Sequence, residues 1–246
     1  MIVVIASRRD VDAIARVARW SKYGARLLTP DDLCKPGWRY EPGRPEEGTA
    51  VIGGAPVGVR DIGGVLMRLG AVEASDLPLF TPDDRRYAAA EITAFLISWL
   101  SELTCPVINR PSGSCLAGPS WGPEDWCLLA QRAGIRADPV CLSVGPEPES
   151  STADHSGRLE IDDHTEIVAL LGASVFGSAD SVLRGQARRL ANLAGVDYLT
   201  VGFRIDQAGA SFASADTWPD LANDRIANAL LEWLRPVDDE SLEAAM

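Results

Sequence analysis

The sequence predicts an α/β protein in two lobes, a Rossmann-like N-terminal lobe over 1–104 and a reduced α+β lobe over 105–246. Three observations carry this prediction. The chain opens on "MIVVIAS", a short β-branched run with few polar interruptions, as a buried parallel strand requires. Strand-like and helix-like segments then alternate through the first hundred or so residues. Further on, the strand-like segments instead pair into hairpins separated by amphipathic helices.

Taken in order, "DVDAIARVARWSKYG" follows the first strand as a helix, with Asp10 as its N-cap candidate and Gly24 as its stop. "ARLLTPDDL" reads as a second strand. "TAVIGGAPVGVRDIGGVLMRLG" reads as a hairpin turning at Gly53 and Gly54, then a third core strand, "GVLMRL". The segment 81–103 is the clearest helix. Thr81 is its expected N-cap, Pro82 its first helical residue, and Ala88, Ile92, Phe95, Leu96, Trp99 and Leu100 share one face. "CPVINRP" closes this α/β unit as a strand ending in Asn109, Arg110 and Pro111, with the boundary between the lobes near 104–112. "GPEDWCLLAQRAG" is a short helix, and "IRADPVCLSVG" a strand after it. A polar linker, 144–164, leads to "TEIVALLGASVFG", a hairpin turning around Leu171 and Gly172. The helix "DSVLRGQARRLANLAG" runs from Asp180 to Gly195. A second hairpin turns over Asp206–Gly209, and a closing helix, "PDLANDRIANALLEWL", is expected to bury Ile226, Leu230, Trp233 and Leu234.

Composition narrows the function classes. With 246 residues, 46% hydrophobic and 24% charged, the chain is an ordinary globular protein with enough length for a substantial core. Its apolar runs are too short and too interrupted to span a bilayer, so no membrane partner is expected. The N-terminus lacks the basic residues and longer apolar run of a signal peptide, which points to the cytoplasm. A formal charge of −12 argues against nucleic acid, whose phosphates need a basic face. Part of that charge lies in the linker and in the tail 238–246. The cysteines Cys34, Cys105, Cys115, Cys127 and Cys141 are odd in number and form no CxxC pair, so free thiols are expected. The only histidines are His155 and His164, both in the polar linker. A rigid catalytic base is therefore not expected from histidine, and neither is a histidine-based metal site.

Neither common phosphate-loop fingerprint is present, and the glycines of "VIGGAPVG" are those of a hairpin turn. More unusual is "NRPSGSCLAGPSWGPEDW" (109–126), which joins a strand end to a helix start. Its backbone amides, with Asn109, Arg110, Ser112 and Ser114, could converge on an anion, or the segment could be a surface loop pinned by Trp121 and Trp126. Cys115 lies in this loop without a basic partner nearby in sequence, which fits an inert thiol. Arg68 ends the third core strand, at the sheet edge where α/β proteins bind ligands. Arg85 and Arg86 follow on the long helix and read as solvated. In the last hairpin Arg204 faces the strand bearing Asp216, as a cross-strand ion pair or as part of a substrate clamp. Trp38, Trp121 and Trp218 lie near loops, where they could anchor a partner or simply pack.

In their order, the Rossmann-like opening, "CPVINRP", "WCLLAQRAGI", "ARRLANLAGVDYLTVGFRI" and the "SFASADTWPDL" turn into a helix resemble the ATP-grasp proteins. The closest likeness is to the branch of ribosomal-protein glutamate ligases and peptide-modifying amide ligases. The resemblance implies a pre-ATP-grasp-like N-terminal lobe followed by an ATP-grasp-like lobe. It also implies ATP, magnesium, an acyl-phosphate intermediate and attack by an amine. The chain departs from the family at the residues that perform this chemistry. The ATP-binding lysine of the family falls on Pro123; its metal-binding glutamate and asparagine fall on Ser214 and Asp216, and its earlier metal aspartate falls near Gly202. Between 141 and 165 the family carries a further subdomain with a second lysine and a glycine-rich lid; here the gap is about twenty polar residues. The only lysines are Lys22 and Lys35, both in the first lobe.

The expectation is therefore a shortened, degenerate ATP-grasp-like protein without catalytic residues, metal or cofactor. It would act as a binding or accessory subunit for a peptide-modifying or biosynthetic enzyme. Arg68, Asn109, Arg110, Ser112, Ser114, Trp121, Arg204 and Asp216 would bind a partner protein, a peptide or a small carboxylate, and the subunit could form homo- or hetero-oligomers. The alternative is an ATP-dependent carboxylate–amine (peptide) ligase with an atypical nucleotide site, which would use ATP and magnesium. A third reading is a different α/β enzyme that uses the 109–126 loop as an anion site.

Overall fold

The structure, a computed structural model, describes residues 1–137, 165–177 and 179–235. In chain order its elements are β1 (Ile2–Ala6), α1 (Val11–Trp20), β2 (Ala25–Leu28), α2 (Pro30–Leu33), β3 (Thr49–Ile52), β4 (Ala55–Gly58), β5 (Gly64–Arg68), α3 (Arg85–Glu102), β6 (Val107–Ile108), α4 (Pro123–Arg132), β7 (Thr165–Leu171), β8 (Ser174–Phe176), α5 (Ser181–Ala194), β9 (Tyr198–Asp206), β10 (Gly209–Asp216) and α6 (Asp224–Leu234). They divide into two compact units, Met1–Ser120 with Asp220–Met246, and Trp121–Pro219.

The first unit is built on a parallel sheet of order β2-β1-β5-β6. The central strands are apolar because both faces are covered: Val3, Ile5, Val65 and Leu66 are fully buried. The connection from β1 through α1 leads to β2 on one side of β1, and the later connections lead to β5 and β6 on the other. The sheet therefore reverses direction between β1 and β5. Asp10 caps α1 as the sequence suggests, accepting from Ala13 N at 2.9 Å, and Gly24 ends the helical stretch at φ 77°. The β3–β4 hairpin turns at Gly53 and Gly54, whose φ values of 60° and 82° make the tight turn glycine permits.

Three readings of the first unit change. "ARLLTPDDL" is not one strand: β2 ends at Leu28, and Thr29 begins the short helix α2, where the Asp32 carboxylate accepts from Thr29 N at 3.0 Å. The long helix starts at Arg85, four residues after Thr81. Residues Thr81–Asp84 close on themselves instead, with Asp84 N donating to Thr81 O at 3.0 Å and Thr81 Oγ1 donating to the Asp84 carboxylate at 2.6 Å. Pro82 sits second in that turn, where its fixed φ suits a turn as well as a helix. Arg85 is not simply solvated, because it donates to the carbonyls of Phe80 and Pro78, each at 3.0 Å.

β6 and α6 both group with the first unit. β6 extends the sheet by parallel pairing of Val107 with Val65. α6 is tied to α1 by the buried Arg16, which donates to the Asp224 carboxylate at 2.9 Å and to the Leu221 carbonyl. The expected burial of Ile226, Leu230 and Leu234 is found, but Trp233 is 38% exposed. It stands three residues after Leu230 and one before the end of the helix, at the margin of the buried stripe.

The second unit is an antiparallel sheet of order β10-β9-β7-β8 with α4 and α5 against it. Its core joins Trp126 and Ala130 of α4 to Leu183, Ala187 and Leu190 of α5 and to Val168, Leu199, Val201, Phe203 and Phe212 of the sheet. Both hairpins fall close to the predicted places: β7 and β8 turn over Gly172 and Ala173, and β9 and β10 pair from Asp206 with Gly209. Pro123 begins α4, Asp180 caps α5 through Val182 N and Leu183 N, and Gly195 closes it. Of the strand read at "IRADPVCLSVG", only the start is described, with Ala137 bridged to Phe212. Cys141, His155, His164, the linker 144–164 and the tail 238–246 lie outside the described residues. Among the described residues no helix is long and apolar enough to cross a membrane.

Candidate functional site

In the first unit, the carboxyl edge of the parallel sheet gathers several of the expected residues. Arg68 ends β5 with its side chain 7% exposed, and its Nε donates to Asp10 Oδ2 at 2.9 Å. Asp10 thus caps α1 with one oxygen and holds a buried guanidinium with the other. Such a pair fixes the strand end rather than presenting a loose cation. Asn109, at the end of β6, is 2% exposed. Gly118 (φ 98°) packs on it so closely that a Cβ there would lie 2.9 Å from Asn109 Cβ, which fixes how the loop folds back.

Arg110 plays a capping role. Its guanidinium donates to the carbonyls of Leu100, Leu103 and Cys105 at 3.1, 3.0 and 3.2 Å, satisfying acceptors at the C-terminus of α3. Ser112 organises the loop that follows. Its Oγ accepts from Cys115 N at 3.1 Å and donates to Gly118 O at 3.1 Å, while Ser112 N donates to Cys115 O and Leu116 N to Gly70 O. Ser114 N also approaches Ser112 Oγ, at 3.4 Å. The amides of Ser112, Ser114, Cys115 and Leu116 are therefore directed at protein acceptors, not converged on one open point. Among the described residues Cys34, Cys105 and Cys115 are free thiols. Burial pushes the Cys105 thiol up, away from the thiolate form.

The second unit holds the remaining positions. Trp121 stacks edge-on against Trp126 with ring centroids 4.8 Å apart, and is 37% exposed. Trp38, in the first unit, packs edge-on against Phe95 and Trp99 and donates to Asp32 O, so its role there is packing. The β9–β10 register pairs Arg204 with Ser211, and Asp216 with Thr200. An Arg204–Asp216 cross-strand pair does not form, because the two residues stand at different ends of the ladder. Asp216 Oδ1 accepts from Trp218 N at 2.8 Å, turning the chain after β10, while the cap of α6 is Asn223. A bulge between Phe212 and Ser214 resets the ladder, and Ser214 then stands directly opposite Gly202.

That pairing bears on magnesium. The ion takes six oxygens in near-ideal octahedral geometry, two or more commonly from carboxylates and phosphates. Here the facing positions carry a hydroxymethyl group and a hydrogen atom, and the nearby Asp216 already accepts from the backbone. The donor set does not fit the ion. Nor is a cluster of three or more His, Cys, Asp or Glu side chains suited to a metal present among the described residues. The two lysines are in the first unit, where Lys35 donates to Asp32 at 2.8 Å and Lys22 lies 4.9 Å over the ring of Tyr23.

The sequence reading missed the group beside Asp10. Ser7, Arg8 and Arg9 leave the end of β1 and meet Asp31 of α2 and Asp76 from the loop after β5. Two arginines directly after the first buried strand of a parallel sheet were the available signal.

No protein-family model matches the sequence, and no curated protein sequence matches it. Solved structures do match in fold. The macrocyclase MdnC bound with precursor peptide MdnA from Microcystis aeruginosa MRC superposes with a TM-score of 0.63 at 10% identity, covering 95% of this chain and 99% of that chain. The ATP-grasp ligase PsnB complexed with minimal precursor, Mg and ADP gives 0.61 at 13% identity, covering 95% and 98%. A Chryseobacterium gregarium RiPP-associated ATP-grasp ligase, in complex with ADP and a leader and core peptide, gives 0.58 at 11% identity, covering 94% and 91%. The chain has the fold of the ATP-grasp proteins.

Proposed function

We propose that this protein is a non-catalytic, peptide-binding member of the ATP-grasp fold, an accessory subunit for a peptide-modifying or biosynthetic enzyme. The observation that carries the reading is the Ser214–Gly202 pair, which stands where the resemblance calls for metal-binding carboxylates. Phosphoryl transfer relies on positioned cations to stabilise developing charge, and without them the ligation chemistry has no support. The absence of lysine outside the first unit points the same way. A peptide as the bound partner is supported by the fold neighbours, whose structures contain precursor peptides. The residues proposed to contact it are Trp121 and Arg204 of the second unit, which are exposed, with the half-buried Asp216 of the same unit; Arg68, Asn109, Arg110 and Ser112 instead hold the strand ends and loop of the first unit.

The test is a thermal-shift comparison of ATP with magnesium against candidate leader peptides, since any ligand of the folded state raises its melting temperature. The proposal expects a shift with peptide and none with nucleotide. A second reading, an active carboxylate–amine ligase with an atypical nucleotide site, draws on the nucleotide and Mg bound to PsnB. A clear shift with ATP and magnesium would favour it and overturn the proposal.

A further inference from the structure

The sheet of the first unit reverses direction between β1 and β5, and ligands of open α/β sheets bind outside the strand carboxyl ends at that point. A cavity of about 260 Å³ lies there. It is lined by Ser7, Arg8 and Arg9 from the loop after β1, by Asp31 after β2, and by Ser75 and Asp76 after β5. The charges in it are layered. The carboxylates are the inner groups: the Asp76 side chain is 6% exposed and that of Asp31 20%. The guanidinium groups are the outer ones, with Arg9 66% exposed and Arg8 68%.

Each arginine holds its carboxylate through one nitrogen, Nη2, Arg8 to Asp31 and Arg9 to Asp76 at 2.9 Å. Arg9 Nη2 also donates to Ser75 Oγ at 2.8 Å. A guanidinium has five N–H donors in a planar fork, so most of each fork remains for a ligand. The ion pairs hold the two forks on the cavity rim, and Ser7 Oγ, bonded to Asp76 at 3.0 Å, braces the floor. The four charges sum to zero, which suits a single added negative charge and disfavours a dianion close to Asp31 and Asp76.

We propose that this cavity is a binding site for a carboxylate, held by Arg8 and Arg9 at the turning point of the sheet. Its size fits one small organic acid or one acidic side chain of a peptide. The site does not depend on whether the protein binds nucleotide or a leader peptide.

The experiment is isothermal titration of the full chain with propionate, with N-acetyl-glutamate amide and with inorganic phosphate, repeated on Arg8→Gln and Arg9→Gln. At least one of the two carboxylate probes binds the wild type, and each substitution weakens it by about tenfold or more, the effect of losing one charge-assisted contact. Binding of propionate alone assigns the site to free acids, and binding of the amide alone assigns it to acidic side chains. Each variant is titrated at a temperature where circular dichroism shows it folded, because removing Arg9 leaves the buried Asp76 carboxylate without its charge partner. The proposal is overturned if neither carboxylate binds up to about 20 mM, if phosphate binds more tightly than both, or if the substitutions leave carboxylate affinity unchanged.

Discussion

Asp32 ties the edge of the first unit together, and its removal has a consequence that can be worked out from the structure. The carboxylate is buried, with 4% of the side chain exposed. It accepts from Thr29 N at 3.0 Å, Thr29 Oγ1 at 3.1 Å, Lys35 Nζ at 2.8 Å and Gly54 N at 2.9 Å. It thus joins the start of α2 to the tip of the β3–β4 hairpin. Asp32→Ala leaves the two backbone amides facing a gap, at about 1–3 kcal/mol each, while the half-exposed Lys35 returns to water at little cost. The expected loss is about 3–5 kcal/mol, a large part of a domain's stability. Native-state hydrogen exchange of β1 and β5 amides reads it in the first unit alone, avoiding a two-state treatment of a chain with two units.

The same group predicts a pH dependence. Burial pushes the Asp32 carboxyl up, but hydrogen bonds from Lys35 and Thr29 outweigh it and hold the group below the usual carboxylate value. Its stabilisation is therefore complete above the unfolded value of about 3.9 and is lost as the pH falls through the lower folded value. The gap between wild type and Asp32→Asn should be constant at neutral pH and close in the acid range. An Asp32→Ala loss within about 0.5 kcal/mol of zero, the level of an ordinary surface substitution, would refute the reasoning. So would an Asp32→Asn deficit that persists undiminished in acid.

Further predictions concern close approaches and caps. At Gly64 an added Cβ would strike the Leu234 carbonyl oxygen, so Gly64→Ala must displace α6 from β5. It should lower stability by about 1–3 kcal/mol in urea unfolding, an overpacking cost. Arg110→Ala uncovers the carbonyls of Leu100, Leu103 and Cys105; the last turn of α3 should then exchange its amide protons faster, with a stability loss of about 1–2 kcal/mol. Asp216→Ala removes the acceptor for Trp218 N and should cost about 1 kcal/mol of stability in the same unfolding assay, with no change in any nucleotide response.

The sequence announced the order of elements well because the signals were local: a buried apolar run for β1, Gly53–Gly54 for the hairpin, Asp180 and Gly195 for the ends of α5. The facing of Gly202 and Ser214 depends on the bulge between Phe212 and Ser214, since the hairpin register alone would set Val201 opposite Ser214. The tetrapeptide Thr-Pro-Asp-Asp shows where local reading stops. It occurs at 29–32 and again at 81–84, and only the first opens a helix at once. There the second aspartate is buried and gains Lys35 and the Gly54 amide, whereas at 81–84 the exposed chain settles into a turn before α3.

Side-chain roles were harder to see, because they depend on register and on partners distant in sequence. Arg204 and Asp216 looked paired until the ladder placed them opposite Ser211 and Thr200. Arg110 looked available to a ligand but turns back on the helix that precedes it. The Arg8–Arg9 cavity went unread because its carboxylates come from α2 and from the loop after β5, more than twenty and sixty residues away.

On the proposed function, the protein binds a peptide and no magnesium nucleotide. Isothermal titration of the full chain with ATP in excess magnesium is then expected to give no saturable heat, an affinity weaker than about 1 mM. A saturating isotherm in the micromolar range would contradict it, and would show that the chain supplies metal and phosphate ligands from positions other than Ser214 and Gly202.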